Sequence, residues 1–183
     1  MNLPNKLSMI RVLIIPVMVV LYYINFKVSG YQLWEMVIPV LFILASFTDF
    51  LDGYIARKYN LVTTFGKFID PLADKLLVMA ALLILNAEGV IPMWVTVVIL
   101  SREFIVTGIR LVAAPTGKVI AASKLGKYKT ASTMIALIIL LFVPFFDVLL
   151  SVGLVVLYVG VLLTVISGIE YFNKNKLIIM DSI

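Results

Sequence analysis

Six apolar stretches, each about the length a helix needs to cross a bilayer, take up most of this chain of 183 residues. They run from Leu7 to Phe26, from near Tyr31 to about Lys58, and from about Gly66 to Asn86. Three more run from Ile91 to Ala114, from about Lys127 to Phe142, and from about Leu149 to Tyr171. Pro144 stops the fifth, and "NKNK" ends the sixth. Apolar side chains make up 63 % of the residues and charged ones 14 %. Soluble domains hold roughly 45–50 % and about 25 %. A short soluble chain has too little interior to hide that much apolar surface. The pattern predicts an all-α, polytopic integral membrane protein with six transmembrane helices, organised as a single domain over 1–183. Residues 1–6 are expected to form a short interfacial segment and 173–183 a cytoplasmic tail. The first stretch is read as a retained helix, because it is long, lacks a small-x-small cleavage site and is followed by further spans.

The chain has no cysteine and no histidine. Disulfides, thiolate chemistry and the commonest zinc ligand and neutral-pH base are therefore excluded. Catalysis would have to use carboxylates, Lys, Arg, hydroxyls or a metal held by oxygen. The formal charge of +5 reads as membrane topology and anionic lipid contact rather than nucleic-acid binding. With the N-terminus inside, every Lys and Arg except Lys27 falls at or below the inner ends of the helices. That asymmetry predicts both termini and all candidate functional groups on the cytoplasmic side.

The informative segment is "DFLDGYIARKYNLVTTFGKFIDPLADK". Asp49 and Asp52 are three apart and share one helix face; Asp70 and Asp74 are four apart and share a face of the next helix. The short connection makes an antiparallel hairpin on which both pairs can converge. Ionisable residues inside a membrane are costly and mark function. Four converging carboxylates would repel, and a hard divalent cation such as Mg²⁺, which prefers oxygen ligands, relieves that repulsion. Such a set can hold two ions, an arrangement that clamps attacking and leaving oxygens. Gly53 and Ala56 extend the Asp49 face and allow close approach.

The pattern Asp49-x-x-Asp52-Gly53-x-x-Ala56-Arg57, then Gly66-x-x-x-Asp70-x-x-x-Asp74, resembles the signature of the CDP-alcohol phosphotransferases. The resemblance extends to the six-span architecture. It implies a homodimeric enzyme that moves a phosphatidyl or related group from a CDP-linked donor to an alcohol and releases CMP. It implies two divalent cations, Mg²⁺ or Mn²⁺, on Asp49, Asp52, Asp70 and Asp74. Asp74 would also act as general base on the acceptor hydroxyl. The CDP donor would lie against Asp52, Gly53, Ala56, Arg57, Gly66 and Asn5.

A second, basic cluster bears on the acceptor: Arg102, Arg110, Lys118, Lys124, Lys127 and Lys129. Topology explains Arg102 poorly, and a basic pocket suits a phosphorylated acceptor. "LPNKLSMIR", "SREFIVTGIR" and "GKYKTASTM" are similar to bacterial members of that family which join CDP-diacylglycerol to sn-glycerol 3-phosphate. That likeness places the acceptor phosphate among Arg110, Lys127 and Lys129, with Arg102 as a fourth, and the protein in a bacterial cytoplasmic membrane. Thr133 departs from the likeness, standing where that group often has glutamine. Other acceptors stay open, an inositol phosphate or phosphatidylglycerol among them. A divalent-cation or metabolite transporter and a non-catalytic scaffold are the competing classes. Trp34 and Trp94 are expected to mark the outer interface.

Overall fold

A computed structural model describes residues 2–24, 26–59, 61, 63–113 and 124–180; within these, the side chains of 50, 57, 67, 112, 124 and 177–180 lie outside the described set. Among the described residues the chain forms six α-helices: α1 (Leu3–Tyr23), α2 (Leu33–Lys58), α3 (Thr64–Ala87), α4 (Met93–Ala113), α5 (Lys124–Leu141) and α6 (Val148–Met180). A two-residue β-hairpin, β1 (Lys27–Val28) with β2 (Tyr31–Gln32), joins α1 to α2.

Four helical stretches among the described residues are long and apolar enough to cross a membrane: Leu3–Tyr23, Leu33–Ala56, Leu125–Phe145 and Val148–Lys176. They mark this as a membrane protein. The other two helices are as long but more charged. α3 holds Lys67, Asp70, Asp74 and Lys75, and α4 holds Arg102, Glu103 and Arg110.

Local chemistry sets the ends. Asn2 caps α1 by accepting from the Asn5 N–H at 3.2 Å, and Pro4 sits in the first turn, where no helical N–H is needed. The helix therefore starts four residues before the apolar run and absorbs Asn5 into its buried face. Thr63 caps α3 by accepting from the Gly66 N–H at 3.0 Å. Ser29 (φ 54°) and Gly30 (φ 90°) form the left-handed pair that a two-residue hairpin needs. α6 does not stop at "NKNK"; it continues to Met180, with Lys174 paired to Glu170 one turn back.

α3 is the central helix, packed against α1, α2, α4 and α5. Its buried stripe is Ala73, Leu77, Ala80, Ala81, Ile84 and Leu85, small residues toward the site end and larger ones beyond. Small residues let membrane helices approach closely. The apolar core gathers Met18, Ile38, Phe42, Ile99, Leu137 and Leu157 around it and around its own Leu82. Trp34 belongs to this core, edge-on to Tyr22 at 5.4 Å; Trp94 is exposed and stacks on Tyr158 at 5.9 Å. α5 packs along α6 where Gly153 and Gly160 remove side chains: a Cβ on Gly153 would come within 2.6 Å of Leu140.

Candidate active site

Three helices contribute at one end of the bundle. α1 presents Asn5, Ser8 and Arg11, spaced by three and all buried. α2 presents Asp49, Asp52, Gly53 and Ala56, and α3 presents Gly66, Asp70 and Asp74. The antiparallel α2–α3 arrangement brings the aspartates together as the spacing predicts, and α1 lies across them. The Arg11 guanidinium is fully buried. Its Nη1 donates to Asp49 Oδ1 and to Asp74 Oδ1, both at 2.7 Å, and its Nη2 donates to Asp52 Oδ2 at 2.5 Å. The Ser8 hydroxyl donates to Asp70 Oδ1 at 2.5 Å, with Asp52 Oδ2 3.5 Å away. Asp52 is 3 % exposed, whereas Asp49 and Asp74 are part-exposed.

One guanidinium against four carboxylates leaves a formal excess of negative charge, and every carboxylate oxygen is a hard ligand. The donor set thus fits a divalent cation of the Mg²⁺ or Mn²⁺ kind. Among the described residues no three acidic side chains form a ready-made ligand cage, because Arg11 lies between Asp49, Asp52 and Asp74. Arg11 and Ser8 are what reading the sequence alone misses as site groups. Their spacing of three from Asn5 on the first helix was the available signal.

Asn5 and Gly66 meet as well. The Thr63 hydroxyl donates to Asn5 Oδ1 at 3.0 Å, and a Cβ on Gly66 would sit 3.0 Å from that same oxygen and 3.7 Å from Asp70 Oδ2. A side chain at Gly66 would therefore press on Asn5 where α3 approaches α1. Asn2 Nδ2 donates to the Leu61 carbonyl at 2.7 Å, tying the N-terminus to the α2–α3 connection. Gly53 and Ala56 are half-buried on the Asp52 side of α2. The Arg57 side chain lies outside the described residues, as do Lys118 and the Lys124 side chain.

The basic cluster divides. A cavity of about 610 Å³ is lined by Asp49, Lys75, Arg102, Arg110 and Lys127, with Tyr171 on its far wall. Carboxylate and cationic groups thus open onto one space. Arg110 Nε donates to the Tyr171 hydroxyl at 3.1 Å, with the guanidinium 5.6 Å from that ring. Lys129 is buried instead, ion-paired to Glu103, which Arg102 also reaches at 3.1 Å. Arg102 further donates to Ser167 at 3.1 Å. Glu103 is thus the hub of the cluster. Sequence neighbours on a helix do not face each other, yet the long Arg102 side chain folds back to reach it. Lys75 turns away from Asp74 and donates to the Thr107 hydroxyl on α4.

A smaller cavity of about 70 Å³ lies beside Asp74, lined by Lys75, Glu103, Lys129 and Thr133. Thr133 is 3 % exposed, and its hydroxyl has no partner among the described residues. A Cβ on Gly160 would lie 3.1 Å from that oxygen. A glutamine at this position would therefore need room on the cavity side rather than toward α6.

The chain matches the family model for CDP-alcohol phosphatidyltransferase over residues 1–166. It is 50 % identical over 183 residues to the CDP-diacylglycerol–glycerol-3-phosphate 3-phosphatidyltransferase of Bacillus subtilis, with 95 % of each chain covered. The enzyme of the same name from Rickettsia typhi is 41 % identical, with 96 % of this chain and 97 % of that one covered. That from Haemophilus influenzae is 36 % identical, covering 100 % of this chain and 97 % of its own. The protein belongs to the CDP-alcohol phosphatidyltransferase family.

Proposed function

We propose that this protein transfers the phosphatidyl group of CDP-diacylglycerol to sn-glycerol 3-phosphate, giving phosphatidylglycerophosphate and CMP. The observation that carries this reading is the shared cavity, in which Asp49 of the carboxylate cluster faces Lys75, Arg102, Arg110 and Lys127. The names of the relatives cited above support the same pair of substrates. A phosphate-bearing acceptor matches that cationic wall. Its phosphate would sit against Arg110 and Lys127, with Arg102 and Lys129 as further cations. Lys129, committed to Glu103, acts on the side of the smaller cavity.

The acceptor hydroxyl attacks the donor β-phosphorus. A new P–O bond forms, the anhydride bond to the α-phosphate breaks, and CMP leaves. Asp74, part-exposed beside the smaller cavity, accepts the hydroxyl proton as general base. Asp52, Gly53, Ala56, Arg57, Gly66 and Asn5 hold the cytidine diphosphate. Two divalent cations, Mg²⁺ or Mn²⁺, on Asp49, Asp52, Asp70 and Asp74 would supply neutralisation of the diphosphate and of developing oxygen charge.

In the membrane we place all six helices as spans of one domain in a bacterial cytoplasmic membrane. Both termini and the site face the cytoplasm, with residues 1–6 and 173–183 on that side, and the unit is a homodimer. The Lys and Arg asymmetry supports the orientation. Pairing of the α3 and α4 charges with groups on neighbouring helices, Asp74 with Arg11 and Glu103 with Lys129, supports their spanning.

The test is a purified-protein panel with Mg²⁺ or Mn²⁺. CDP-diacylglycerol is offered with glycerol 3-phosphate, an inositol phosphate or phosphatidylglycerol, and CMP is measured. Release with glycerol 3-phosphate alone is expected. Release with another acceptor moves the assignment within the family, and metal-dependent ion flux with no CMP from any acceptor overturns it.

A further inference from the structure

Arg11 is the most completely enclosed charge in the described molecule, and its position on α1 has no counterpart in the reaction above. Its Nη1 bridges α2 to α3 through Asp49 and Asp74, while Nη2 holds Asp52. Its Nε is buried and donates to no described acceptor. The guanidinium is therefore held by the carboxylates themselves and not by a complete hydrogen-bond network of its own. Three carboxylate oxygens point at it at 2.5–2.7 Å. A divalent cation of the Mg²⁺ kind needs such oxygens at about 2.0–2.1 Å. Two cationic centres cannot occupy one space at those separations, and each would repel the other.

We infer that Arg11 is a tethered counter-cation: it holds Asp49, Asp52 and Asp74 together when no divalent ion is bound, and an incoming ion must displace it from at least one of them. This rests on the metal reading in the preceding section. It goes beyond that reading by assigning a function to a residue outside the ligand set. Without such a partner, the carboxylates on the two helices would push apart and buried Asp52 would lose its counter-charge, and an uncompensated buried charge is strongly destabilising. The metal-free fold is thereby preserved, and the affinity for the ion is lowered by the fraction of molecules in which Arg11 occupies the oxygens. Ser8 meets the competition only at its edge: its hydroxyl lies 3.5 Å from the Asp52 Oδ2 that Arg11 holds. It donates to Asp70, which Arg11 does not touch.

The experiment compares the full-length purified protein with Arg11→Gln and Arg11→Lys, using Mn²⁺ alone as probe. Melting is followed in EDTA and in Mn²⁺, and Mn²⁺ binding is titrated calorimetrically. Arg11→Gln is expected to melt lower than the parent in EDTA and to gain more on adding Mn²⁺. Its Mn²⁺ affinity should be tighter by about threefold or more. Arg11→Lys keeps a charge that reaches fewer oxygens, so it should fall between the two and provides the comparison if the glutamine variant does not fold. Equal or weaker Mn²⁺ binding in both variants overturns the inference while leaving the metal site in place. Parent protein that binds no Mn²⁺ overturns the metal reading and this inference together.

Discussion

Asp70 and Asp74 sit one turn apart on α3 and meet different partners, the Ser8 hydroxyl and the Arg11 guanidinium. Asparagine at either position keeps the shape and an acceptor oxygen but removes the charge. We expect CMP release to fall at least about 100-fold in Asp70→Asn and in Asp74→Asn. Circular dichroism and the elution volume in detergent should be unchanged; a variant with near-parental turnover would contradict the assignment. Glu103 is a residue of another kind. Glu103→Gln strands the buried Lys129 without a counter-charge, which costs about 3 kcal/mol. The double variant with Lys129→Met should lose less stability than the two single changes summed, as a denaturant titration would read. The aspartates were legible because their spacing puts each pair on one helix face. The role of Arg11 and the Glu103–Lys129 pair were not, because the partners lie 26 to 63 residues away in the chain.

At the scale of elements, helices longer than about 18 apolar residues announce themselves, while their ends depend on single side chains. α1 begins early because Asn2 and Pro4 suit a first turn, and α6 runs on because Glu170 and Lys174 pair along it. The two-residue strands at Lys27–Val28 and Tyr31–Gln32 are too short for any alternation to signal them. The α5–α6 contact depends on missing side chains. Gly153→Val should destabilise it by about 1–3 kcal/mol, read as a lower melting temperature, because the added Cβ falls on buried Leu140. Gly66→Ala makes a different demand. Its Cβ would press on Asn5, so we expect a raised KM for CDP-diacylglycerol with a smaller change in kcat. An unchanged KM would remove Gly66 from the donor site.

For the whole molecule, a chain without cysteine is suited to topology mapping by single substitutions. Ser29→Cys in the α1–α2 hairpin should react with an impermeant maleimide from outside intact cells, and Lys174→Cys only after permeabilisation. Labelling of Lys174→Cys from outside, with Ser29→Cys reacting only after permeabilisation, would reverse the orientation proposed here, and labelling of both from outside would overturn the six-span count. The membrane class, the helix count and the paired aspartates follow from periodicity and composition, which are properties of neighbours in the chain. The absence of histidine and cysteine likewise confines the chemistry to oxygen ligands and carboxylate bases before any coordinate is known. Packing settles what periodicity leaves open. α1 crosses α2 and α3, so a guanidinium lands among the aspartates. α4 and α5 both pack on α3 and α6, so Glu103 can capture Lys129 and withdraw it from the larger cavity. These pairings join residues far apart in sequence. They arise because burying charge in an apolar bundle is tolerable only where an opposite charge from another helix arrives at the same depth.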